Sequence, residues 1–229
     1  MADFVADRLA KSTENIGAIE SEQALQRAMS WSLYDSRGRR KYLVASERSA
    51  FLREAMKIGG SIATFCAVLV FCGPRISEAL ALTHERIDFA DSAIVFETLK
   101  RRERGIMRAV PVPAELLALL EAVHESRAAR CDAERAGERL WPWSRTTAWR
   151  KVREVMARAE IPPHLRKPKA LRHGFGAAAA TNSVVITLIK KWLGHAKLET
   201  TEHYTMLLGN EERVLAKSTW RDIRDELKI

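Results

Sequence analysis

The strongest constraint on this chain is a stretch without charge. From Ile58 to Pro74, 17 consecutive residues carry none, between Lys57 and Arg75. Its central part, Ile62 to Cys72, is apolar on every side of a helix. Such a helix must be covered on every side. Gly59-Gly60 breaks the front of the stretch and Gly73-Pro74 ends it. It is too short and too interrupted for a membrane span, which takes about 18 or more apolar residues. The stretch therefore predicts a central core helix with other elements packed around it.

The remaining sequence can supply that cover. Of 229 residues, 47% are hydrophobic, an ordinary share for a globular protein. The length suits one good-sized domain, or one domain with a small extension. The start, Met1-Ala2-Asp3-Phe4, lacks the basic-then-apolar order of a secretory signal. Three cysteines, Cys66, Cys72 and Cys131, are an odd set without metal-ligand spacing. They suit reduced thiols in a cytoplasmic protein. Neither a membrane protein, a disulfide scaffold nor a zinc finger fits. With 38 basic and 29 acidic residues the net charge is +9, which suits a polyanionic partner such as nucleic acid.

Periodicity gives a mainly α chain with a small antiparallel β-sheet, an α+β class. Residues 1–40 are polar and mixed in charge, with a helix expected over Ala18–Leu33 and a linker at Ser36–Arg40. Ser46-Glu47-Arg48-Ser49 opens a helix that carries Phe51, Leu52 and Met56. A new helix follows Gly73-Pro74, with Arg75 in its first turn. Ile87–Leu99 and Ile106–Val112 read as two strands of a hairpin joined by the charged turn Lys100–Gly105. Pro113 starts a helix with Leu116, Leu120 and Val123 at i, i+4 and i+7. Ser144 is placed to cap a basic helix that carries Arg145, Arg150, Lys151 and Arg153 with Trp149 and Val152, where Trp149 reads as a packing residue. Helices are expected over Ala170–Thr181, Val184–Leu193 and Glu211–Leu227.

Four pieces of the sequence can carry chemistry. Arg75 and Glu78 stand three apart at a helix start, spaced to meet on one face. Lys100 sits at the hairpin turn. Lys169 and Arg172 stand three apart at another helix start, where free N–H groups also favour anions. Leu193-Gly194-His195 is followed by His203-Tyr204. Taken singly, a surface ion pair, a solvated loop, a basic helix face and a helix cap would account for each.

Taken together, the pieces resemble the tyrosine recombinases of the phage integrase family. The resemblance runs from about Lys41 to Leu208. It rests on Arg-Ile-Ser-Glu-Ala-Leu-Ala-Leu at 75–82, Lys100 at 25 residues beyond Arg75, Arg172, Trp-Leu-Gly-His at 192–195, and Tyr204 at nine residues beyond His195. It implies a catalytic domain over 41–208, a short extension and linker over 1–40, and a C-terminal helical extension over 209–229. The implied activity is site-specific cleavage and rejoining of double-stranded DNA through a 3′-phosphotyrosine on Tyr204. Arg75 and Arg172 would hold the phosphate oxygens, Lys100 would protonate the leaving 5′-oxygen, His195 would hydrogen-bond a phosphate oxygen, and Glu78 would orient Arg75. No metal and no cofactor is implied. Arg145, Arg150, Lys151 and Arg153 are the candidate DNA contacts.

Lys169 departs from the family pattern, which has histidine there, and resembles the type IB topoisomerases. Two roles stay open for it: accepting the tyrosine proton, or donating to phosphate. About 40 residues precede the resemblance, where family members carry a helical DNA clamp. A helper protein that supplies the clamp, a truncated chain and a minimal enzyme are the readings this leaves. The family acts as a tetramer on DNA. A topoisomerase-like nicking-closing enzyme and a non-catalytic DNA-binding accessory protein are the alternatives.

Overall fold

The computed structural model describes residues 33–99, 105–196, 198–202 and 204. The expected helices over Ala18–Leu33 and Glu211–Leu227, and Lys100 with most of its turn, lie outside the described residues. The chain divides into two compact units, Met1–Arg40 and Lys41–Ile229. In the first, the Asp35 carboxylate accepts the amide N–H groups of Arg37 and Arg39 and pairs with the Arg39 guanidinium, which closes a tight turn bridged by Tyr34 and Arg40.

The second unit is mostly helical. Helix α1 (Ala45–Ile58) and helix α2 (Gly60–Cys72) abut at Gly59, whose positive φ of 77° ends the first helix without side-chain strain. Glu47 caps the start of α1 by accepting the Val44 N–H at 3.0 Å. Helix α2 is the expected core helix, begun earlier at its front, at Gly60 instead of Ile62. Ala63 through Val70 and Cys72 are buried in it, and Phe71 and the first residue, Gly60, are exposed. It packs against α1, α4 (Ala114–His124) and α7 (Pro168–Thr181).

Helix α3 (Ile76–Leu80) is a single short piece, with Arg75 as its N-cap rather than inside its first turn. The sheet has three antiparallel strands in the order β1 (Ile87–Asp88), β2 (Ala93–Glu97) and β3 (Met107–Pro111). The expected first strand is thus two. Asp88 turns the chain between them, because its carboxylate accepts the N–H groups of Ala90 and Asp91. β2 and β3 pair in the register Ile94 to Val110 and Phe96 to Arg108. Four short elements escaped the periodicity: α5 (Ser126–Cys131), the single turn α9 (Glu199–Glu202), and 3-10 turns at His84–Arg86 and Pro163–Leu165.

Helix α6 (Arg145–Arg158) starts at Ser144, whose hydroxyl accepts the Thr147 N–H at 3.1 Å. It buries Ala148, Val152, Val155 and Met156, the i, i+4, i+7, i+8 stripe of an amphipathic helix. Helix α8 (Ile186–Leu193) packs between α7 and β3. Among the described residues no helix is long and apolar enough to cross a membrane.

Candidate active site

Pro74 keeps α2 from continuing, and the chain re-enters helix at Ile76 with Glu78 as its third residue. The Glu78 carboxylate reaches back to the Arg75 N–H at 2.9 Å and to the Arg75 guanidinium at 2.6 Å. The same carboxylate accepts Arg108 Nη2 at 2.5 Å and lies 3.9 Å from Arg172 Nη1. Glu78 is fully buried, and so are Arg108 and Arg172, whereas the Arg75 side chain keeps 22% of its surface open. Three guanidiniums thus face one carboxylate. Two positive charges are left over, and the open one is Arg75. Burial alone would raise the Glu78 carboxyl, but Arg108, Arg75 and Arg172 outweigh it and hold its pKa below the usual carboxylate range.

Arg172 comes from the second turn of α7. It donates to the carbonyls of Gly73 at 2.9 Å and Leu193 at 2.5 Å. Burial, then Arg75, pushes its pKa down to about 9, which leaves it cationic at neutral pH. Much of its donor fork therefore ties the end of α2 to the end of α8. The residue has a structural task besides any anion it holds.

Arg108 is the member of this cluster that sequence reasoning missed. It falls within the expected second strand, Ile106–Val112, where no role was assigned to it. Its strand places Arg108 and Val110 on the inner face, with Met107, Ala109 and Pro111 outside. The alternation with Val110 and Val112 was the available signal. Arg108 donates to Thr98 Oγ1 at 2.9 Å and to the Trp192 carbonyl at 2.8 Å, besides Glu78.

The Leu-Gly-His turn follows directly. Gly194 ends α8 in the left-handed region, with φ 62°. A side chain there would also crowd Arg108 Nη1 and Thr98 Oγ1, each 3.0 Å from the added carbon, so glycine is required twice over. The His195 N–H closes on Lys190 O at 3.1 Å, and its Nδ1 lies 3.0 Å from Thr201 Oγ1. The ring is buried. Burial first, then Arg172 and Arg75, lowers its pKa to about 2, so it is neutral at any working pH.

Tyr204 is only 3% exposed. Its ring lies on the backbone of α7 at Gly176, where any side chain would collide with it. Its hydroxyl is 3.2 Å from His173 Nδ1. Burial raises its pKa to about 12, against the pull of Arg172. Lys169 sits exposed in the first turn of α7, beside Pro168.

The basic helix α6 does not present one face. Arg145, Arg150 and Arg153 are exposed, with Arg153 over the Trp149 ring at 4.6 Å. Lys151 is half-buried on the other flank, over Trp143 at 5.0 Å. Trp149, read as a packing residue, is 37% exposed. Among the described residues no cluster of three or more His, Cys, Asp or Glu side chains is placed to hold a metal ion.

The profile of the phage integrase family matches residues 41–211. The chain is 28% identical over 186 residues to a tyrosine recombinase XerC from Chromobacterium violaceum, an alignment of 72% of this chain and 60% of that one. The chain thus spans under two thirds of the length of that relative. Its fold is similar to the catalytic domain of bacteriophage HP1 integrase, with a TM-score of 0.56 and 23% identity over 77% of this chain and 93% of that one. It is also similar to XerH site-specific recombinase bound to its difH substrate before cleavage, with a TM-score of 0.62 and 20% identity over 82% and 59% of the two chains.

Proposed function

This chain belongs to the phage integrase family, and we propose that it is a site-specific recombinase that cleaves and rejoins double-stranded DNA through Tyr204. The observation that carries the reading is the charge surplus around Glu78, open to solvent at Arg75 alone of its three guanidiniums. A phosphodiester is the anion that such a planar fork fits.

In this reading a DNA phosphate docks on Arg75, and Arg172 adds charge from behind. The Tyr204 hydroxyl gives its proton to solvent water as its oxygen attacks phosphorus, the bond to the 5′-oxygen breaks, and a 3′-phosphotyrosine and a free 5′-hydroxyl result. Lys100 supplies the proton to the leaving oxygen. His195 stabilises the transition state as a hydrogen-bond donor to a phosphate oxygen. In the tautomer whose Nδ1 accepts the Thr201 hydroxyl, Nε2 carries the hydrogen offered to phosphate. Lys169 donates to phosphate from the first turn of α7. Guanidinium and ammonium groups supply the charge, so the reaction needs no metal. Arg145, Arg150, Lys151 and Arg153 contact the DNA backbone, from two flanks of α6. Four protomers assemble on paired sites.

The buried Tyr204 cannot reach a phosphate where it stands. DNA binding must draw it off Gly176, and its high pKa in that place keeps it protonated until then. Lys169 also suits a second reading, a nicking-closing enzyme that relaxes DNA without joining two duplexes.

One incubation tests the reading. Purified protein and supercoiled plasmid are mixed with a chelator present and quenched in detergent, beside Tyr204→Phe. Relaxed plasmid with covalently held protein is expected, both lost in the variant. Salt-sensitive DNA binding with neither signal favours the accessory binder. Exchange between two marked duplexes separates recombinase from nicking-closing enzyme.

A further inference from the structure

We infer that Arg108 is a positioning residue for DNA cleavage, the rivet that sets Arg75 and the Leu-Gly-His turn relative to one another. The inference rests on the recombinase reading above. Arg108 spends its guanidinium on three separate elements. Nη2 donates to Glu78, which in turn holds the Arg75 guanidinium through its other oxygen. Nε donates to the Trp192 carbonyl at the end of α8, two residues before Gly194 and three before His195. Nη1 donates to Thr98, just past β2 and two residues before Lys100 in sequence.

No other residue type makes these three bonds at once. A lysine carries one ammonium on a flexible stem and cannot match a planar fork held from three directions. The Phe96 ring, opposite Arg108 in the sheet register, lies 5.5 Å from its central carbon and backs the guanidinium. The packing at Gly194 shows how tightly the fork is built in, since even a methyl group there would press on Nη1. Arg108 is too deeply buried to reach a DNA phosphate itself. Its effect on the reaction therefore passes through the groups it holds.

The test is a double-mutant cycle on single-turnover formation of the covalent adduct with Arg108→Lys and Arg75→Lys, beside DNA affinity and melting temperature. A misplacement of about 1 Å can cost about 100-fold in rate, so Arg108→Lys alone is expected to lose about 30- to 100-fold. DNA affinity should change by less than about threefold, because Arg108 contributes no phosphate contact. In the Arg75→Lys background the same substitution should cost less than about threefold, because the two act as one unit. An equal loss in both backgrounds, or no loss in a folded variant, overturns the inference. Should Arg108→Lys not fold, Thr98→Val decides. It removes one acceptor of the fork at nearly constant volume, and should cost about fivefold with Arg75 present and almost nothing with Arg75→Lys. If the wild-type protein forms no adduct at all, the recombinase reading itself fails and this inference falls with it.

Discussion

Two polar clusters lie inside this fold, and they are built on opposite rules. One surrounds Thr64, near the start of α2. Trp141 donates its indole N–H to the Thr64 hydroxyl at 3.1 Å, Thr64 reaches the Ser61 carbonyl at 3.1 Å, and His124 Nε2 lies 2.9 Å from the same hydroxyl. Phe65 and His124 stack edge-on against Trp141. Every group there is neutral, and each is satisfied by another. The other cluster surrounds Glu78, beyond the far end of α2. There, one carboxylate meets three guanidiniums, and the charge does not close. A neutral, closed network serves stability. A network short of negative charge suits the phosphate that the proposed reaction docks on Arg75.

The comparison can be broken by experiment. The largest effect is expected at Glu78. Glu78→Gln keeps the shape but leaves three guanidiniums without a counter-charge. Breaking a buried ion pair from one side costs about 3–5 kcal/mol. The variant should melt far below wild type and form no detectable adduct. An active Glu78→Gln protein of normal stability would erase the distinction between the clusters.

Trp141→Phe probes the neutral cluster. It leaves the Thr64 hydroxyl short of a donor and should cost about 1–3 kcal/mol in denaturant unfolding. Cleavage per folded molecule should be unchanged. A drop in cleavage rate beyond the unfolded fraction would mean that α2 couples the two regions.

The smallest effect is in pH dependence. Burial pushes His124 down to about 4 and His195 down to about 2. In the unfolded chain both titrate near about 6.5. Below that pH the unfolded state binds more protons than the native one, so stability falls as pH falls. Urea midpoints should decline between about pH 7 and 5, and His124→Gln should make the decline shallower. An unchanged slope would show that His124 is protonated in the native protein.

Much of the Glu78 cluster was legible in the sequence. Arg75 and Glu78 declare themselves by three-residue spacing at a helix start, and Gly194-His195 by the glycine a helix end demands. Arg108 did not declare itself. It stands close behind a run of exposed-type charges, and only strand alternation with Val110 sets it apart. The extra strand β1 was hidden for a related reason, since the turn that makes it depends on a side-chain hydrogen bond from Asp88 and not on glycine or proline. The flank of α6 on which Lys151 falls was readable from helical geometry. That Lys151 would cover Trp143 was not, because Trp143 precedes the helix and its place depends on packing. Helix α2 was legible from Ile62 onward, since a segment apolar on all sides has one place to go.

The seat of Tyr204 at Gly176 has a consequence for the proposed reaction. An aromatic ring pressed onto bare backbone is held mainly by dispersion and by exclusion of water, which salt scarcely screens. The proposed capture of DNA by Arg75 and its neighbours is an ionic event, weakened by every added counterion. The two steps therefore answer to different solution variables. Ionic strength governs how often DNA is engaged, and the fit between a ring and a glycine governs how often an engaged strand is cut.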